Sequence, residues 1–144
     1  NTTNHMTNNI IIHNYGDEDT KYITSDYILK LLKNKPAKVI PELIKYTHFN
    51  KDYPENQNIK LTNKKEPFVK VLKNNKWELA DRKDTITDLI DQKHSILNTV
   101  DIKSNFKQYI VNRIENFNNK YLNDDKEFIK KLYKDSELVL LNNS

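Results

Sequence analysis

The side chains best suited to chemistry lie in the stretch "YTHFNKDYPENQNIKLTNKK", residues 46–65, where His48 is followed by Asn50, Asn56 and Asn58. An imidazole titrates near neutrality and can take a proton from water, and an amide oxygen can ligate a hard divalent cation. Together they would suit metal-assisted hydrolysis of a phosphodiester.

That chemistry needs a frame. In the HNH-type nuclease pattern, two strands and a helix bring a later histidine or asparagine to the same metal ion, a few residues past the loop. Here the residues after Asn58 alternate like a strand, and the next histidine, His94, comes 46 positions after His48. The bland alternative explains more. Asparagine side chains bond nearby backbone N–H groups, and Pro54 presets a turn. Asn50, Asn56 and Asn58 are therefore expected to fasten a loop between a helix and a strand. A nuclease centred on His48 is kept as the alternative.

The other reactive types form no constellation. His94 falls on the apolar stripe of a helix, as a satisfied core or interface residue would, and His5 and His13 belong to the opening tract and first strand. Without cysteine there is no disulfide, thiolate zinc site or cysteine nucleophile, and four scattered histidines do not suggest a metal centre. Gly16 is the single glycine, which excludes a glycine-rich phosphate loop and a dinucleotide fingerprint. No serine sits in a nucleophile elbow. No catalytic residue, metal or cofactor is assigned, and the chain reads more as a binding protein than as an enzyme.

Charge supplies the remaining signal. Arginine accounts for only Arg82 and Arg113 among 24 positive side chains, against 20 acidic ones, for a net charge of +4. Arginine is the usual choice for bidentate phosphate and base recognition, so its scarcity weakens the nucleic-acid argument. Abundant lysine, asparagine and isoleucine also follow from AT-rich codons. The lysines are nonetheless concentrated: Lys60, Lys64, Lys65, Lys70, Lys73 and Lys76 face only Glu66 over residues 59–76. A hairpin carrying them could lie along a phosphate backbone without reading sequence. Solvated strand lysines that discourage aggregation are the plain alternative.

These residues must be positioned by identifiable elements. The β-branched run at 9–15 predicts a strand, ended by Gly16 and "DED". Ser25 is placed to cap a helix bearing Tyr27, Ile28, Leu31 and Leu32, which stops before Pro36. Pro41 suits the first turn of a short second helix with Leu43, Ile44 and Thr47 facing inward. Alternation on both sides of Asn74 and Asn75 predicts a hairpin over 68–80, because asparagine tolerates positive φ in a tight turn. Residues 59–62 should add a third strand. Thr85 and Asp88 have capping-box spacing for a helix to about 100, with Ile86, Leu89, Ile90 and Leu97 as its stripe. Two more helices are expected, over roughly 103–118 and from Asp124 onward.

The fold class is therefore α+β: a small antiparallel sheet with short helices, an isolated N-terminal strand and a two-helix C-terminal arm. Residues 1–8 read as a polar linker, 9–100 as the core domain and 101–144 as its helical arm. The opening Asn1 and the late Met6 suggest a piece of a longer polypeptide. No apolar run approaches the ~18 residues of a membrane span.

Laid out in this way, the chain resembles the C-terminal domain of uncharacterised proteins of large nucleocytoplasmic DNA viruses of the mimivirus type. The likeness rests on "NNIIIHNYGDEDTKYIT", on "IPELIKYTHFNKDYPENQNIKLTNKKEPFVKVLKNNKWELADRKDTITDLIDQK" and on "ELVLLNNS". It implies a module that follows a zinc finger, a basic region or a coiled coil in a DNA-associated or regulatory protein. It implies residence in the viral factory of the host cytoplasm or in the virion. No zinc-binding or catalytic residue carries over. The expected function is a non-enzymatic binding or oligomerisation module, with nucleic acid reached through this or an upstream domain. A lone strand is marginal without a partner, so Ile10, Ile11, Ile12 and Tyr15 are the expected interface between copies.

Overall fold

A computed structural model describes the backbone of Met6–Thr7 and all of residues 10–100 and 106–144. Apart from Met6–Thr7, the linker expected at 1–8 lies outside the described residues. So do residue 9 of the first strand and the helix start expected at 103.

The architecture is α+β. Strands β1 (Met6–Thr7) and β2 (Ile10–Ile11) pair antiparallel with each other and stand apart from the main sheet. Helices α1 (Ser25–Asn34) and α2 (Val39–His48) follow, joined by a 3-10 turn at Pro36–Lys38. Strands β3 (Ile59–Lys60), β4 (Phe68–Lys73) and β5 (Lys76–Asp81) make an antiparallel sheet in the order β3-β4-β5. Helices α3 (Arg82–Asn98), α4 (Gln108–Leu122) and α5 (Lys126–Asn143) complete the chain.

Helix α2 is the axis of the core, with seven of its ten residues buried. It packs against α1, α3 and α5, while α5 also meets β3. Pro41 is its third residue, where the backbone N–H would have no intrahelical acceptor, so nothing is lost by its absence. Val69 and Val71 from β4 join Leu43, Ile86, Leu97, Leu132 and Leu140 in one apolar cluster, so α4 and α5 belong to the same core as the sheet. The hairpin turns as its asparagines predict: Asn74 and Asn75 have φ of 50° and 63°. With positive φ at both central residues, the turn twists in the sense that suits the flanking strands.

Several boundaries differ from the sequence expectation, each for a local reason. Thr24, not Ser25, caps α1, its hydroxyl accepting from the Tyr27 N–H. The third helix starts at Arg82 and has no capping box at Thr85. Asp81 ends β5 and also caps α3 by accepting from the Asp84 N–H, so strand runs into helix without a loop. The last helix is capped by Asp125, because Asp124 adopts φ of 52°. The strand expected over 9–15 narrows to Ile10–Ile11. From Ile12 the chain belongs to no strand and is held by single bonds from the His13 N–H to the Glu55 carbonyl and from the Tyr15 N–H to the Leu72 carbonyl.

Candidate functional site

His48, the last residue of α2, is fully buried. Its Nδ1 lies 2.9 Å from Asn58 Oδ1 and 3.2 Å from the Asn56 carbonyl oxygen. Both are acceptors, so Nδ1 carries the proton and donates. Nε2 is then left as an acceptor, and Lys93 Nζ donates to it across 3.0 Å. Lys93 comes from α3 and is 1% exposed. Burial holds its ammonium down, to a pKa of about 8, against the opposing pull of Glu18 and Asp88. Burial first, and the Lys93 charge second, push His48 well below the ordinary histidine range, so its ring is neutral at pH 7.

The asparagines extend this pair outward. Asn58 Nδ2 donates to the carbonyls of His13 and Asn14, each at 3.2 Å, and to Glu18 Oε2 at 2.6 Å. Asn56 accepts from the Asp19 N–H and donates to the Asp19 carbonyl. The Tyr15 hydroxyl donates to Asp88 on α3 at 2.8 Å. Alongside, tyrosine rings make a ladder: Tyr53 stacks on Tyr22, Tyr22 tilts against Tyr46, and Tyr46 stacks on Tyr27. The segment from His13 to Tyr22 is thereby laid down over α2 and α3.

This geometry defines what the amide-rich stretch does. Of Asn50, Asn56 and Asn58, Asn50 alone makes the expected local turn, accepting from the Asp52 N–H. Asn56 and Asn58 instead reach back 37 and 45 residues to pin the N-terminal segment. Both ring nitrogens of His48 are occupied, and a general base must reach the proton it removes. His48 has no surface from which to activate water. Among the described residues, no group of three or more His, Cys, Asp or Glu side chains converges as a metal site would require. His94 is half-buried, with Nε2 2.7 Å from Asn118 Oδ1 and its ring beside Phe117 and Tyr121.

Lys93 and its partners Glu18 and Asp88 were not legible as a site in the sequence. One signal existed: position 93 falls on the stripe of Ile86, Leu89, Ile90 and Leu97, and a lysine there must find a buried acceptor.

The six lysines are distributed over two sheet faces and a loop. Cross-strand partners share a face, and Lys60 lies opposite Lys70, which lies opposite Leu79. This outer face also carries Phe68, 43% exposed, and Trp77, with Lys60 Nζ 4.2 Å from the Trp77 ring centre. Lys73 and Lys76 face each other at the hairpin tip, on the side of Val69 and Val71. Lys64 and Lys65 sit in the β3–β4 loop, where Arg82 bonds the Lys64 and Glu66 carbonyls. Of the expected interface residues, Ile11 is 68% exposed and Ile10 half-buried, whereas Ile12 is buried and Tyr15 is engaged by Asp88.

A second surface feature is β5. It is the edge of the main sheet, with no strand beyond it among the described residues. None of its six residues is buried, and Leu79 at its centre is 64% exposed.

No protein-family model, curated protein or solved structure matches the chain. No helix among the described residues is long and apolar enough to cross a membrane.

Proposed function

We propose that this chain is a non-enzymatic binding module that self-associates through the free edge of β5. The supporting observation is that edge itself: among the described residues no strand lies on the side of β5 away from β4, and Leu79 near its centre is 64% exposed. The register sets the geometry of the union. Lys73 and Lys76 close the two-residue turn, so residues 76, 78 and 80 bond β4. Leu79 and Asp81 then turn their backbone groups outward. Antiparallel pairing of two copies about a two-fold axis places Leu79 opposite Leu79 and joins two three-stranded sheets into one of six. The sequence resemblance is the ground for placing such a module in a nucleic-acid-associated protein of a large DNA virus, intracellular in the viral factory or virion.

Light scattering tests this directly. The wild-type chain is expected to be a dimer at concentrations of roughly 100 μM, as suits a modest interface. Leu79→Lys is expected to be monomeric and still folded, with a melting temperature that no longer rises with protein concentration. A monomeric wild type at that concentration, or a dimeric variant, overturns the proposal.

Direct contact with single-stranded nucleic acid is the second reading. It has one observation in its favour: Lys70, two residues from exposed Phe68 on the same outer face, lies opposite Lys60, whose ammonium is 4.2 Å from the Trp77 ring centre, so cations and aromatic rings share that face. It predicts salt-sensitive binding that is lost in Lys60→Glu/Lys70→Glu and kept in Lys73→Glu/Lys76→Glu.

A further inference from the structure

A cleft of about 390 Å³ opens between the Pro36–Lys38 turn, α4 and α5, remote in sequence from the sheet edge. Its volume falls in the range of small-molecule sites. Phe117, Phe128 and Leu132 line it with apolar surface, and Pro36 and Ala37 border it. Leu132 and Phe117 belong to the core, and Phe128 meets Phe117 edge to face, so this wall is fixed by packing.

The polar lining is unequal in sign. Arg113, Lys120 and Lys131 are set against one acid, Asp135. That acid is already engaged: Lys38 reaches it at 2.9 Å and Lys131 at 3.0 Å, and, although burial pushes its carboxyl up, these two bonds together hold it below the usual range. Arg113 is held in place where one nitrogen donates to the carbonyls of Leu32 and Lys33, at the C-terminal end of α1. Among the described residues, neither Arg113 nor Lys120 is paired with a carboxylate. The cleft therefore offers an apolar wall with uncompensated positive charge at its border.

We infer that this cleft binds an amphipathic organic anion: an aromatic or medium-chain acid whose body lies on Phe117, Phe128 and Leu132 and whose head meets Lys120 and Arg113. A neutral apolar molecule would leave the cations unanswered. A bare inorganic anion would leave the wall uncovered.

Fluorescence titration with 1-anilinonaphthalene-8-sulfonate, an aromatic sulfonate, tests the inference on protein whose near-ultraviolet dichroism shows it folded. Saturable binding at one site is expected, and decanoate should displace the dye where equal concentrations of decan-1-ol or inorganic phosphate do not. Lys120→Glu reverses one cation and Ala37→Trp fills the cleft from an exposed position; each should weaken binding by about tenfold or more. Lys30→Glu, on the exposed side of α1, should bind as wild type. No saturable signal, or wild-type binding in both cleft variants, overturns the inference. Displacement by decan-1-ol as effective as by decanoate would reduce the site to a greasy crevice, and displacement by phosphate alone to a simple anion site. Either result also defeats it. Because the cleft is apart from β5, the outcome is independent of the dimer test.

Discussion

Lys93 Nζ sits 3.0 Å from His48 Nε2, and neither side chain has meaningful contact with solvent. A cation and a neutral imidazole share one buried hydrogen bond. The bond persists only while His48 keeps its lone pair, and this makes the fold sensitive to acid. In the unfolded chain His48 titrates near 6.5, whereas in the folded chain burial and Lys93 hold its pKa well below that value. Stability from this group is fully present above pH 6.5 and declines as pH falls below it, at a limiting slope of about 1.4 kcal/mol per pH unit. Urea unfolding between pH 7 and pH 5 should show the decline, and His48→Gln should flatten it. An equal slope in both proteins would contradict the assignment.

Lys93 extends the same sign to the alkaline side. Lys93 has a pKa of about 8 when folded and 10.5 when free, so above pH 8 the folded chain sheds a proton that the unfolded chain retains. Lys93 by itself adds roughly 2 kcal/mol of stability between pH 8 and pH 10, part of which Tyr15, Tyr22 and Tyr27 offset as pH 10 is approached. Beyond pH 10 stability should turn down. Burial pushes Tyr22 up to about 12 and raises Tyr15 and Tyr27 as well, so the unfolded tyrosines ionise first. A maximum near pH 10 is the expected signature in denaturant titrations, and Lys93→Met should remove the rise.

The two kinds of asparagine should separate under mutation. Asn58→Ala strips bonds from His48, Glu18 and two carbonyls at once, and should cost about 2–4 kcal/mol. Hydrogen exchange at the Tyr15 amide should accelerate in the same variant. Asn50→Ala removes one exposed turn bond and should cost no more than about 1 kcal/mol.

The hairpin turn offers a backbone test. Asn75 has φ of 63°, a region that side chains other than asparagine and aspartate resist. Asn75→Gly should be neutral or mildly stabilising, while Asn75→Val should cost about 1–2 kcal/mol. Thermal melts of the two variants give the comparison.

What was legible in the sequence follows from how local each signal is. The hairpin was readable because alternation and the Asn74–Asn75 pair both act within a few residues, and α2 because Pro41 and its apolar partners do. The caps at Thr24 and Asp81 were displaced because adjacent residues had equivalent capping chemistry, or because a strand abutted a helix directly. The polar hub was not readable at all. Asn58, Glu18, His48 and Lys93 are up to 75 residues apart, and no periodicity links them. The lysine run looked continuous along the chain, but strand alternation sends Lys70 and Lys73 to opposite sides of the sheet.

The seclusion of Lys93 also equips the molecule with an internal gauge. Among the described residues it is the one lysine shut off from water, while the residues from His13 to Tyr22 form the flap above it. An acylating reagent should mark the outlying amines quickly and reach Lys93 only when that flap lifts. Labelling at this single position would then report, second by second, how often the beginning of the chain comes loose from the rest.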